Sequence, residues 1–393
     1  MAKKTEEKIL EQTRSTFRAV GKITGVDRDN FYKVQTLERG KAEGKEMRRL
    51  NFGLKTSNEQ QLRLQMSGIE PDKVMLFDTQ NRDKNKKAKR VEMSYDEYYD
   101  RKEELDEDKV ISYQSRLALE RDEDDKLITV HGITFDNVEI ASDLLENGME
   151  VLVRGRIERN SYEKDGETRH VTNYNVDQIE LLDRELDFDA PDFVEYAKFT
   201  ESFVFTDTFT DAEQERLVVN GKVINYRQQT ENVAYDLSWS EVFNTKYPNM
   251  DKMDEKAKEK AIKEIEEQIE MKKMMAKAYK KVKFGSLITI DGDIINRAVV
   301  AEQEQDTDDL FAMMRGNSRK VTTFMTSLSI TGTQEMDEAK YTEDDFVKAL
   351  EQTEIVVDEK KEEKEDKLGA LKGKVDSDAP MFGEDDDEDD LPF

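Results

Sequence analysis

Two glycines seven residues apart occur twice in this chain, each time in the same setting. Gly148 and Gly155 bracket Met-Glu-Val-Leu-Val-Arg, and Gly285 and Gly292 bracket Ser-Leu-Ile-Thr-Ile-Asp. Glycine inside a strand weakens pairing unless the strand bulges or bends sharply, as it does at the corners of a small barrel. A helix candidate precedes each copy, Val138 to Asn147 and Asp251 to Lys283, and a further strand follows each, Val171 to Leu182 and Val321 to Thr331. Upstream, the run from Phe17 through Gly21 to Ile23 matches the run from Leu217 through Gly221 to Val223. Met47 to Lys55 and Ala234 to Trp239 are the next strand candidates. Strand, strand, strand, helix, strand, strand is the order of an OB-type Greek-key barrel. The sequence therefore predicts a mainly β chain with added helices, built as two OB-type barrels in tandem.

The expected organisation has five parts. Residues 1–16 form a polar arm. Residues 17–185 form the first barrel domain, split by a charged insertion at about 81–126. A linker follows at 186–198, around Asp189, Ala190, Pro191 and Asp192. Residues 199–333 form the second barrel, carrying the long helix 251–283. Residues 334–368 are acidic and helical, and 369–393 are a disordered acidic tail. Along the long helix Ile262, Ile265, Ile269, Met271, Met274, Ala278 and Val282 suggest the face that packs on the barrel. Thr342 and Asp345, ahead of Phe346, Val347 and Leu350, have the spacing of an N-terminal cap.

Composition narrows the chemistry. The chain has 393 residues, no cysteine and two histidines, which excludes disulfides and thiolate metal sites. It contains no glycine-rich phosphate loop ending in Lys-Ser/Thr, so neither a cofactor nor an enzymatic activity is expected. Met1 to Leu10 carry lysines and glutamates without an apolar core, and no apolar run approaches membrane length. A cytoplasmic location with no membrane contact follows as an expectation. The net charge is −28, which opposes binding to any polyanion. Residues 358–393 hold 15 acids and 6 bases, leaving about −19 for the remainder. Within that remainder lie basic runs: Arg82, Lys84, Lys86, Lys87, Lys89 and Arg90 against Asp83, and the lysines between Lys272 and Lys283. Contact with a polyanion would depend on such local patches.

The segment from Val138 through Gly148 and Gly155 to Ile157 resembles the bacterial single-stranded-DNA-binding protein family. So does its continuation through Tyr162, Asp165, Gly166 and Arg169 to Tyr174, Val176, Ile179 and Leu182. In that family this stretch is the OB helix, the fourth strand, a DNA-contacting loop with an aromatic, and the fifth strand. The carboxyl terminus is similar too: Asp387, Asp389 and Asp390 run into Leu391, Pro392 and Phe393. The resemblance implies a divergent form, such as a large bacteriophage would encode, since the second half matches only through the repeat.

It also implies single-stranded DNA binding in replication, recombination and repair. Partner proteins would be recruited by the acidic tip, with homo-oligomers possible. Single-strand binding needs cations for phosphates and aromatic faces for bases. The candidates in the first barrel are Arg154, Arg156, Arg159, Tyr162, Lys164 and Arg169, then Arg48 and Phe52, with Arg49 beside them. In the second they are Trp239, Arg297, Arg315 and Arg319. Two rival readings stand beside this one: an acidic interaction protein that mimics DNA or inhibits a host protein, and an OB protein that binds RNA or serves as a structural replisome subunit.

Overall fold

Alternation of apolar and polar residues builds the first ring of strands, because successive side chains on a strand point to opposite faces. The structure, a computed structural model, describes residues 9–38, 42–82, 87–164, 167–212, 215–225, 228–239, 247–302 and 320–349. Strand β1 (Ser15–Thr24) buries Phe17, Ala19 and Ile23 and turns Thr16 and Arg18 outward. β2 (Tyr32–Thr36) pairs with β3 (Glu46–Lys55), which buries Leu50, Phe52 and Leu54. β4 (Gln61–Ile69) buries Leu62, Leu64 and Met66. β1 pairs antiparallel with β3, and β3 with β4. β10 (Glu150–Lys164) pairs with β1 and with β11 (Glu167–Leu181), and β11 runs parallel to β4 at Leu64 and Gln65. The ring therefore closes as β1-β3-β4-β11-β10-β1, the OB order. Helix α2 (Thr134–Leu144) sits between its third and fourth strands and buries Val138 and Ala141.

The second ring repeats this topology with β12 (Ala197–Asp211), β13 (Arg216–Ile224), β14 (Thr230–Ser238), β15 (Leu287–Glu302) and β16 (Lys320–Asp337). It closes through a parallel contact of β14 with β16 and antiparallel pairing of β12 with β15. Helix α3 (Glu255–Tyr279) occupies the place of α2. The rings are joined edge to edge. β1 pairs antiparallel with β12, centred on Phe17 opposite Phe199, and one apolar core runs through both. The fold is mainly β with added helices, and none of the described helices is long and apolar enough to cross a membrane.

The glycine repeat has a concrete cause in each ring. Gly148 and Gly285 enter their strands at φ of 90° and 81°, a region L side chains avoid. Gly155 faces Phe17 across the sheet, and Gly292 faces Phe199. A Cβ on Gly155 would lie 2.9 Å from Phe17 Cε1, and one on Gly292 would collide with Phe199. The partner strand bulges at that point in each ring, with Asp177 of β11 and Thr331 of β16 as the extra residues.

Other expectations need correction. The run from Phe17 to Ile23 corresponds to β12, not to the Leu217 run, which is the second strand of its ring. Gly21 and Gly221 are both crowded, against Lys55 O and the Phe203 ring, so the shared glycine marks close approach and not equivalence. On α3 the packed stripe is Ala261, Ile265, Lys272, Ala276 and Tyr279, while Met271 and Met274 are exposed. The segment expected as a linker is packed, since Leu186, Phe188 and Phe193 form their own cluster and Asn249 donates to Phe188 O and Ala190 O.

The insertion is larger than expected and folded. β5 (Lys73–Arg82), β6 (Ala88–Ser94) and β7 (Val110–Ile111) make a small sheet beside helix α1 (Tyr95–Glu107). The hairpin of β8 (Ser115–Arg121) and β9 (Leu127–Gly132) extends β11 in parallel. Near the end of the described chain, the Thr342 backbone N–H and hydroxyl both donate to Asp345, at 2.8 and 2.7 Å. That cap sets Phe346 against Tyr341 and Leu10.

Candidate nucleic-acid interface

The outward phase of the first ring carries polar residues in rows that cross several strands. Lys33 on β2 lies opposite Arg49 on β3, and Arg49 opposite Ser67 on β4. Asn51, Gln65, Asn175, Arg156 and Thr16 form a second row across β3, β4, β11, β10 and β1. Arg63 stands opposite Gly53. A third row runs from Gln178 through Arg154 and Arg18 to Lys198. Neighbouring strands are about 4.8 Å apart, so cations in one row are near neighbours.

Five of these cations are not neutralised. Among the described residues, Arg18, Lys33, Arg49, Arg63 and Arg154 have no carboxylate within ion-pair distance. Arg49 reaches only Met47 Sδ at 3.8 Å, and its Nε is buried without a partner. Nearby cations are occupied: Lys22 by Glu150 at 3.0 Å, Arg116 by Glu180 at 3.1 Å and Arg156 by Asp177 at 3.0 Å. The hydrogen bond to Asp177 is the main cause that raises the Arg156 pKa. Gln65 and Asn175 hydrogen-bond to each other, leaving amide groups between the charges. An open cationic strand face with amides can hold a phosphodiester backbone.

The second ring has the opposite character. The shared Phe–Gly contacts make Arg154 and Arg156 equivalent to Asp291 and Asp293. Asp291 accepts from Thr200 at 2.6 Å, and Asp293 neutralises Lys198. Arg216 is held between Asp211 at 3.2 Å and Asp236 at 3.1 Å. A face of this kind repels phosphate. A cleft of about 300 Å³ lies where the rings meet α3, lined by Gln60, Tyr196, Lys198, Met271 and Asp293. No group of three or more His, Asp or Glu among the described residues is placed to hold a metal.

The residues singled out from sequence land in several places. Arg154 and Arg156 are on the outer face as expected. Arg159 is not: it turns inward and donates to the fully buried Glu201 of β12, with one contact at 2.9 Å. Glu201 also accepts from Tyr235 Oη at 2.8 Å. Burial works against the Arg159 charge, but the Glu201 carboxylate outweighs it and holds the guanidinium above its ordinary range. Burial, followed by Glu201, raises the Tyr235 phenol well above its own range. This buried ion pair ties one ring to the other.

Arg48 stacks over Phe135 and pairs with Glu46 and Glu139 at 2.8 and 2.7 Å, so it too is occupied. Phe52 is a core residue, 3 % exposed. Trp239 is half-buried against the main core. Tyr162 sits opposite Arg169, and Lys164 opposite Glu167, in the β10–β11 ribbon. Arg297 is on β15 opposite Met325. Arg315, Arg319 and the tip residues Asp387, Asp389, Asp390, Leu391, Pro392 and Phe393 lie outside the described residues. Sequence reasoning missed Arg18, Lys33 and Arg63. The available signal was alternation, since Arg63 falls in the polar phase of Leu62, Leu64 and Met66.

A family model named YorF matches residues 129–364, more than half of the sequence. The chain belongs to the YorF family. The match takes in α2, β10, β11 and the whole second ring. In this YorF chain Arg154 lies inside the matched region, and Arg18, Lys33, Arg49 and Arg63 lie outside it. No curated protein matches the sequence.

Among solved structures, the wild-type single-stranded DNA binding protein from Thermus aquaticus aligns at 13 % identity and a TM-score of 0.33, covering 84 % of this chain and 96 % of that one. A deletion mutant of the Thermus aquaticus protein aligns at 12 % identity and a TM-score of 0.34, covering 85 % and 98 %. Both superpositions are loose, and the OB topology of this YorF protein rests on its own strand register.

Proposed function

We propose that this chain is a non-catalytic binder of single-stranded DNA and that the strand lies across the outer face of the first ring. The observation that carries the reading is the set of five unpaired cations, Arg18, Lys33, Arg49, Arg63 and Arg154, on neighbouring strands of a chain with a net charge of −28. Ordinary surface design would pair them with some of the many acids. Bases would stack on Tyr162 in the adjoining ribbon, with Lys164 and Arg169 following the backbone. The acidic second ring would then be structural or face proteins. The tip ending in Leu391, Pro392 and Phe393 would recruit replication and repair partners, through long-range charge first and an apolar pocket second.

The test is the variant Arg49→Gln/Arg63→Gln/Arg154→Gln. Its affinity for oligo-dT should fall at least tenfold at moderate salt, with the melting temperature held within a few degrees of wild type. Unchanged affinity would remove the first ring's face from the site. In the alternative reading, an acidic interaction protein, wild type and variant would both fail to bind oligo-dT.

A further inference from the structure

The third row on the outer face of the first ring does not stop at β11. β8 runs parallel to β11 with Arg116 opposite Gln178, and β9 continues the sheet with His131 opposite Arg116. Directly opposite residues share a face. Arg18, Arg154, Gln178, Arg116 and His131 therefore form one line over β1, β10, β11, β8 and β9. With neighbouring strands about 4.8 Å apart, that line is about 19 Å long. Glu180 occupies Arg116 at 3.1 Å, so the open cations, Arg18 and Arg154, lie toward one end.

The other end is aromatic. His131 meets the Tyr113 ring edge-on at 5.7 Å, and Tyr113 meets Phe77 at 5.4 Å. Tyr113 is 54 % exposed, although the chain on either side of it is fixed. Ser112 is buried, and its hydroxyl accepts from the Gln114 backbone N–H at 3.3 Å. The Gln114 side chain in turn accepts from the backbone N–H of Thr134, where α2 begins, at 3.4 Å. Burial, followed by the charge of Arg116, holds the His131 imidazole below its ordinary pKa against the pull of Asp106. The ring is neutral at pH 7 and serves as an apolar neighbour for Tyr113. Aromatic contact by itself is ordinary packing. Here the place of the cluster decides, because it continues a line that starts with open cations. Single-strand sites combine these two elements, cations for the backbone and rings for the bases.

We infer that Tyr113, backed by Phe77 and His131, is a base-stacking site that carries single-stranded DNA off the first ring and onto the insertion. This rests on the single-strand reading above and extends the path of the bound DNA. Its backbone lies on Arg18 and Arg154, and its bases pass over β8 and β9 to Tyr113.

The experiment uses the full chain and two labelled oligo-dT probes near the limits of what one OB fold covers, about 5 and about 15 nucleotides. Tyr113→Ala should bind the longer probe about tenfold more weakly than wild type, as loss of one stacked base requires. It should bind the shorter probe as wild type does, with its melting temperature within a few degrees, which shows that it is folded. Tyr113→Trp should keep the wild-type affinity for the longer probe. Its emission should be quenched by that probe beyond the quench seen in wild type, whose one tryptophan is Trp239.

Tyr113→Ala binding the longer probe as wild type does would overturn the inference and leave the aromatic cluster to a protein partner. No added quench in Tyr113→Trp would overturn it too. An equal loss on both probes would do the same, since Tyr113 would then act on the ring face and not beyond it. Wild type that binds neither probe would overturn the single-strand reading itself and this extension with it, a result distinct from any behaviour confined to the variants.

Discussion

At the scale of residues, the largest single dependence falls on Arg159. It was read from sequence as a phosphate contact, because the partner that buries it is 42 positions away on another strand and leaves no local signal. Glu201 is fully buried and is reached by both Arg159 and Tyr235. Removing one member of a buried pair leaves an uncompensated charge and costs about 3–5 kcal/mol. Arg159→Met should therefore lower unfolding free energy in urea by about that amount. Adding Glu201→Gln should recover much of it, because the neutral amide still accepts from Tyr235. A double variant as unstable as the single one would contradict a charge-based role and point to packing. Arg48 gives the same lesson in milder form, since a basic residue on a strand says nothing of the carboxylate or ring it will meet.

At the scale of elements, the glycine repeat was legible because it encodes a clash that the backbone itself must avoid. Both Phe–Gly contacts recur at the same place in the two rings, so a spacing in sequence became a spacing in structure. The pairing of the Phe17 and Leu217 runs failed because crowding at a glycine arises on more than one strand. The phase of α3 was misread for a different reason. Lys272 sits in the packed stripe with its amine near Ser329 Oγ at 3.5 Å, so the buried face is not the most apolar one. This predicts opposite outcomes for two aliphatic residues on one helix. Ile265→Ala should cost about 2–4 kcal/mol, as truncation in a core does. Met274→Ala should fall within about 0.5 kcal/mol of wild type, as exposed positions do. Thermal melts of the two proteins decide it, and equal losses would restore the stripe expected from sequence.

At the scale of the whole molecule, charge separates the two rings. They share topology, a joined sheet and one core, yet their matching outer strands carry arginine in one and aspartate in the other. The mainly β fold with its tandem barrels was readable from the sequence. The asymmetry was not, because which charges meet a partner is settled only when strands far apart in sequence lie side by side. A net charge of −28 and an open cationic face are compatible once acids elsewhere leave that face alone.

The most direct test is the anisotropy of labelled oligo-dT with the wild-type chain across a salt series, against a blunt duplex. Seven phosphate contacts on a single strand, five on the ring face and two from Lys164 and Arg169, give a slope of log affinity on log salt of about −5. Binding to oligo-dT with a slope near that value would place the strand on the first ring. No binding to oligo-dT at low salt would contradict the account and leave an acidic protein whose partners are other proteins.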